Sequence, residues 1–163
     1  IHFEVARDVS FWYAGGVAGT KWLSIQLLIP AAALGLAVVF VIARSITVLS
    51  LGEELAKGLG QYTKTVKAIG IVSVVLLTGA TVSVAGAIGF IGLIIPHITR
   101  FLVGVDYRWI IPCSAVLGAV LLIYADIAAR LVNPPFETPV GAVTALVGVP
   151  FFLYLARRER SGL

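Results

Sequence analysis

The chain has 163 residues, of which 60% are hydrophobic and only 12% charged, with a mean hydropathy of +1.05. A water-soluble domain of this size has no interior able to hide that much apolar surface, so a bilayer must be the solvent for most side chains. The net charge of +4 does not point to nucleic acid, because the basic residues stand between apolar runs, where they read as topology signals.

In chain order, the first residues lack the charged and apolar regions of a signal peptide, and no methionine occurs anywhere, so the N-terminus reads as a cut. Four stretches then carry no charge: Trp22 to Ala43, Ala68 to Thr99, Trp109 to Ala125 and Thr138 to Ala156. A helix needs roughly 20 apolar residues to cross a hydrocarbon core of about 30 Å, and it satisfies its own backbone where water cannot. Continuous apolar runs also exclude the alternating pattern of a β-barrel. The second stretch is too long for one crossing, since 32 residues make a helix of about 48 Å. Gly86, Gly89 and Gly92, with Pro96 behind them, favour two shorter helices meeting near 85–89, a helix break that is also the candidate gating hinge.

The positive-inside rule supports the split. Five spans put Arg44, Lys57, Lys64, Lys67, Arg100, Arg108, Arg157, Arg158 and Arg160 on one side against Arg7, Lys21 and Arg130, nine to three, whereas four spans give seven to five. The expected architecture is therefore all-α, a polytopic membrane helix bundle and a single domain over residues 1–163. It has an outer N-terminal segment at 1–21, spans near 22–43, 67–86, 88–103, 109–128 and 139–156, and an inner tail. Trp12, Tyr13 and Trp22 fall at the outer interface, and Tyr107, Trp109 and Tyr154 near the inner one, as interfacial anchors do. Gly79-Ala80, Gly86-Ala87, Gly118-Ala119 and Gly141-Ala142 let helices approach closely.

The inner loop at 45–62 is more than a connector. Leu49, Leu51, Leu55 and Leu59 recur at near-helical spacing beside Glu53, Glu54 and Lys57, and Gly52, Gly58 and Gly60 punctuate them. The pattern predicts short amphipathic helices forming either a knob for a cytosolic partner or an interfacial element lying on lipid.

Residues able to do chemistry are sparse in the spans. Cys113 stands alone and reads as a packing residue. Ser114 has no base on its own segment. His97 lies three residues before Arg100 without a nearby carboxylate or second ligand, and His2 falls on the opposite side, so His97 reads as a helix-end residue. No catalytic or metal-ligating residue is assigned, and an intramembrane enzyme is disfavoured. Five spans with an amphipathic loop are also compatible with a membrane scaffold subunit holding a cytosolic partner.

Three blocks carry a resemblance: LGEELAKGLG at 51–60, GAIGFIGLIIPHITR at 86–100, and ADIAAR at 125–130 followed by ETPVGAVTALVGVPFF at 137–152. Over nearly its whole length the chain resembles the permeases of iron-siderophore and vitamin B12 type ABC importers, the FecCD family, and within them the last five of about ten helices. One departure is Trp12-Tyr13-Ala14-Gly15-Gly16, similar to the family's Trp-x-x-Gly-Ser element but with glycine in the serine place.

The resemblance implies a permease without enzymatic activity or a bound cofactor of its own, in the cell membrane, dimerised with a second copy or a paralogue. Its partners would be an ATPase subunit carrying ATP and Mg and an extracytoplasmic substrate-binding protein. Leu51, Gly52, Glu53, Glu54, Ala56, Leu59 and Gly60 would then couple to the ATPase, and Arg130 would dock the binding protein. Spacing alone offers Arg130 a local partner in Asp126, four residues earlier on one helix face. The expected cargo is a ferric siderophore, with cobalamin or haem the alternative.

Overall fold

The computed structural model describes residues 15–17, 20–132 and 138–160. All regular structure among them is helical: α1 (Trp22–Ser50), α2 (Glu53–Gly58), α3 (Thr63–Ala85), α4 (Ile91–Val103), α5 (Tyr107–Val132) and α6 (Val140–Arg160). Three helices are long and apolar enough to cross a membrane: α1, α3 and α5 over Tyr107–Leu131. The remaining two expected spans fall on shorter apolar helices, Ile91–Val103 and Val140–Tyr154. Large apolar side chains are turned outward along these helices, among them Val41 at 80% exposure and Phe101 at 90%, the inverse of a water-soluble surface.

Two boundaries differ from the sequence expectation. The first helix does not stop with the apolar run at residue 43: α1 runs on through Arg44 to Ser50. Nothing in 44–50 breaks a helix, and the first glycine is Gly52, so the charge at Arg44 marks the edge of the apolar run but not of the helix. Consequently the loop at 45–62 contains one short helix, α2, where several were expected. The break in the second long run comes as expected after Ala85, but α4 begins only at Ile91, leaving 86–90 outside any helix.

The chain forms two compact units. The first contains Lys21–Val84 and Thr99–Ala115. Here α1 meets α3 at Gly35, where an added Cβ would lie 2.6 Å from Leu77 Cδ2, so any larger residue would require the Leu77 side chain to move. Beside this contact is an apolar cavity of about 370 Å³ lined by residues that include Gly35, Val38, Val72 and Ser73. The Ser73 hydroxyl donates to Ile69 O at 2.8 Å. Asp106 caps α5 by accepting from the N–H of Arg108 at 3.0 Å, the role an acidic residue just before a helix commonly fills. Thr47 of α1 binds the same corner: its Oγ1 accepts from the N–H of Tyr107 at 3.0 Å and lies 3.2 Å from Asp106 Oδ1. Ser114 of α5 donates to Oγ1 of the fully buried Thr99 of α4 at 3.1 Å. That places Ser114 in a helix-packing role.

The second unit draws on 1–20, 85–98 and 116–163. Its core is Ala125, Ala129 and Val140, with Val17, Leu122 and Val143 against them. Residues 15–16 run as a backbone strap between helix ends. The N–H of Gly16 donates to Ala85 O at 2.9 Å, and Gly15 O accepts from the N–H of Gly141 at 3.2 Å. Gly15 has φ +71, and a Cβ there would meet Ala87 O at 2.5 Å, whereas Gly16 has open space around it. The departure from the family element therefore falls at the tolerant position of the pair.

Gly15→Ala is expected to destabilise the protein by at least about 1 kcal/mol, the cost of a left-handed conformation for a residue with a Cβ, while Gly16→Ser leaves stability unchanged. Thermal unfolding midpoints of the purified variants in detergent check the pair.

Candidate functional site

Residues 51–60 form a single knob. The N–H groups of Leu51 and Gly52 close the last turn of α1 on Val48 O and Leu49 O, both at 3.2 Å. Gly52, at φ 132, then redirects the chain into α2, and Gly60, at φ 77, releases it. Gly58, expected as a third breakpoint, is the last residue of α2. Leu51, Leu55 and Leu59 follow one another at intervals of four and are 62–73% exposed, while Ala56 is fully buried. The knob thus turns leucines outward and keeps its smallest side chain inside.

Glu53 holds the inner side. Its Oε1 is 3.0 Å from Lys57 Nζ and accepts from Thr63 Oγ1 at 3.5 Å, and its Oε2 pairs with Lys67 of α3. The carboxylate also lies beside Thr63, the first residue of α3, where the helix dipole favours negative charge. The hydrogen bond from Lys67, and after it the bond from Lys57, lowers the Glu53 pKa from 4.5 to about 2. Glu54, next in sequence, is exposed and makes no ion pair among the described residues. A second tie comes from Gln61, whose Nε2 donates to Ser45 O of α1 at 2.8 Å.

The other candidate residues fall in the second unit. Gly86 is buried with φ 68, and Gly89 lies in the same non-helical stretch, whereas Gly92 and Pro96 are inside α4. The unexpected member is Phe90, which has φ 65 without being glycine. It is seated against Gly148 of α6 so closely that a Cβ at 148 would come within 2.3 Å of it. Held strain of this kind persists only where surrounding packing enforces it. His97 packs edge-on against Phe151, with ring centroids 6.1 Å apart.

Arg130, in the last turn of α5, donates through Nε to Asp126 Oδ2 at 2.8 Å, so the local pairing is made. Its side chain is 64% exposed, and a guanidinium bound through Nε keeps the four N–H donors of its two terminal nitrogens. Among the described residues no group of three or more His, Cys, Asp or Glu is arranged to hold a metal. Trp12, Tyr13, Arg7, His2 and Glu137 lie outside the described residues.

Three partners escaped the sequence reading. Lys67 is 14 residues from Glu53, beyond the end of α2 and the turn at Gly60, and no local spacing connects them. Gln61 reads as loop. Phe90 carries no signal at all, since a phenylalanine gives no warning of a positive φ. Asp106, immediately before an aromatic-rich helix, did carry a readable cap signature.

Residues 1–158 match the FecCD transport family. The chain belongs to that family. It is 76% identical over all 163 residues to the iron(3+)-hydroxamate import system permease protein FhuB of Bacillus subtilis (strain 168), of which it covers 42%. It is 40% identical over 154 residues to the Fe(3+) dicitrate transport system permease protein FecC of Escherichia coli (strain K12), covering 46% of that protein. A cobalamin import system permease, BtuC of Halobacterium salinarum, is 42% identical over 151 residues, with 40% of its length covered. A solved metal-chelate type ABC transporter in an inward-facing conformation superposes with a TM-score of 0.85 at 30% identity, over 93% of this chain and 50% of that one. The chain thus spans about half the length of the relatives it matches. Its helices and these permease relatives together make it a multi-pass membrane protein.

The Glu53 shift has a definite sign. A carboxyl whose folded pKa is depressed contributes its full stabilisation above the unfolded value of 4.5 and loses it as pH falls through about 2. A side-chain carboxyl carbon NMR titration is expected to place the Glu53 midpoint near 2, and Lys67→Ala is expected to move it up towards 4.5.

Proposed function

We propose that this chain is half of the membrane-spanning subunit of an ATP-driven ABC importer that carries ferric siderophores, specifically ferric hydroxamates, inward across the cell membrane. The ligand class follows from the 76% identity to a permease named for iron(3+)-hydroxamate import, which extends over every residue. The observation that carries the mechanism is the α2 knob, a six-residue helix with exposed leucines, too short to span and fastened to α1 and α3.

In this reading the knob seats in a cleft on a cytosolic ATPase subunit, which holds the ATP and Mg. Closure of two such subunits moves α2, and α2 moves the helices it is fastened to, so the pathway opens to alternate sides. The permease performs no covalent chemistry. A second copy or a paralogue supplies the other wall of the pathway. Arg130 faces the opposite side under the charge-derived topology, and its free terminal nitrogens suit a carboxylate on a substrate-binding protein in a two-pronged contact. The non-helical residues 86–90 act as the gating hinge.

The full-length permease, tagged and extracted in mild detergent, is expected to retain a P-loop ATPase and to lose it on Leu55→Asp. Arg130→Glu is expected to abolish capture of the binding protein while leaving the ATPase bound. Mass spectrometry of the co-purified proteins decides both, and retention of both partners by both variants would refute the assignments.

A further inference from the structure

We infer that Glu53 is an internal strut, and that Lys67 and Gln61 are the positioning residues that fix α2 to α3 and to α1. The inference rests on α2 being the ATPase-facing element and changes what its first acidic residue does. Both Glu53 oxygens are already engaged within the chain, one by Lys57 and Thr63 and the other by Lys67. A carboxylate committed to three local donors is a poor choice for a contact that must form and break with a partner, because every exchange would cost existing bonds. Glu54 has no such commitment and is exposed.

The geometry explains why a strut is needed. α2 is joined to the rest of the chain through Gly52 and Gly60, both at positive φ. A helix of six residues held only by such joints can swivel about its own axis, and force applied to its leucines would be lost in that rotation. Two lateral ties remove the freedom. Glu53 at the first position of α2 reaches Lys67 on α3. Gln61, just past Gly60, reaches Ser45 O on α1 at 2.8 Å, while its own N–H donates to Ala56 O at 3.0 Å. Gln61 also keeps a buried Oε1 with no hydrogen-bond partner among the described residues. Enclosing an amide oxygen this way is costly, and the residue's Nε2 bond to α1 is the compensation the structure offers. The knob is thereby divided: Glu53, Ala56 and Gln61 attach it, and the exposed leucines with Glu54 are left for the partner.

The test uses the full-length permease with its ATPase and binding protein in proteoliposomes, reading radioiron-labelled ferric hydroxamate moved per ATP hydrolysed alongside ATPase capture. Lys67→Ala and Gln61→Ala are expected to keep the ATPase bound but to lower the transport ratio roughly twofold to fivefold, the range a partly exposed tie supports. Glu53→Lys is expected to behave as they do, and Glu53→Lys combined with Lys67→Glu to restore the ratio, because a strut works with either polarity. A partner contact made by the Glu53 carboxylate would not be rescued by changing Lys67. Wild-type ratios for Lys67→Ala and Gln61→Ala, or a swap as impaired as Glu53→Lys alone, overturn the inference. If Leu55→Asp still captures the ATPase, the coupling reading itself fails and the strut falls with it, a pattern distinct from loss of the strut alone.

Discussion

Every backbone N–H and C=O at membrane depth must find a partner inside the protein, because hydrocarbon supplies none. The helices meet that demand along their lengths, so the informative places are where they stop. At the end of α1 the chain closes its own carbonyls with the N–H groups of Leu51 and Gly52 before turning. At the start of α5, Asp106 and Thr47 take the exposed donors of Tyr107 and Arg108. At the end of α3, the Ala85 carbonyl is met by the N–H of Gly16, brought from far away in the sequence. Two of these interruptions, at the start of α5 and the end of α3, recruit a segment from elsewhere in the chain, and there the recruited segment ties helices together.

This pattern also explains what the sequence disclosed. The uncharged runs were legible as helices because an apolar run without charge suits a helix in lipid, and the long stretch from Ala68 to Thr99 is interrupted after Ala85, where its glycines cluster. The knob was legible because Leu51, Leu55 and Leu59 make no sense in a connector. Helix ends were less so: Arg44 marks a boundary of polarity, while the helix itself obeys backbone propensity and continues to Ser50. The pairing of Glu53 with Lys67 depends on the turn at Gly60, whose angles no local pattern specifies. Phe90 is the extreme case, a residue whose conformation is imposed by Gly148 from another helix.

The two units hold their polar groups differently. In the first, charged and hydroxyl side chains near α2 and the start of α5 make explicit ties between helices, through Glu53, Gln61, Thr47 and the Thr99–Ser114 pair. In the second, the fastening is mostly steric and through backbone: glycines at 15 and 148 admit a carbonyl and a ring base that any larger residue would expel. Side-chain ties tolerate rearrangement of partners, whereas close backbone contacts permit very little displacement before they break.

The continuation of α1 beyond its apolar run has a mechanical side. With 29 residues the helix is about 44 Å long, against a hydrocarbon core of about 30 Å. On the proposed topology its final turns would stand clear of the lipid with the knob mounted at the tip. A sideways displacement of about 3 Å at the tip of such a rod inclines the whole of it by about 4°, so under that reading modest travel at the knob would be delivered as tilt along the helix rather than absorbed by a slack linker.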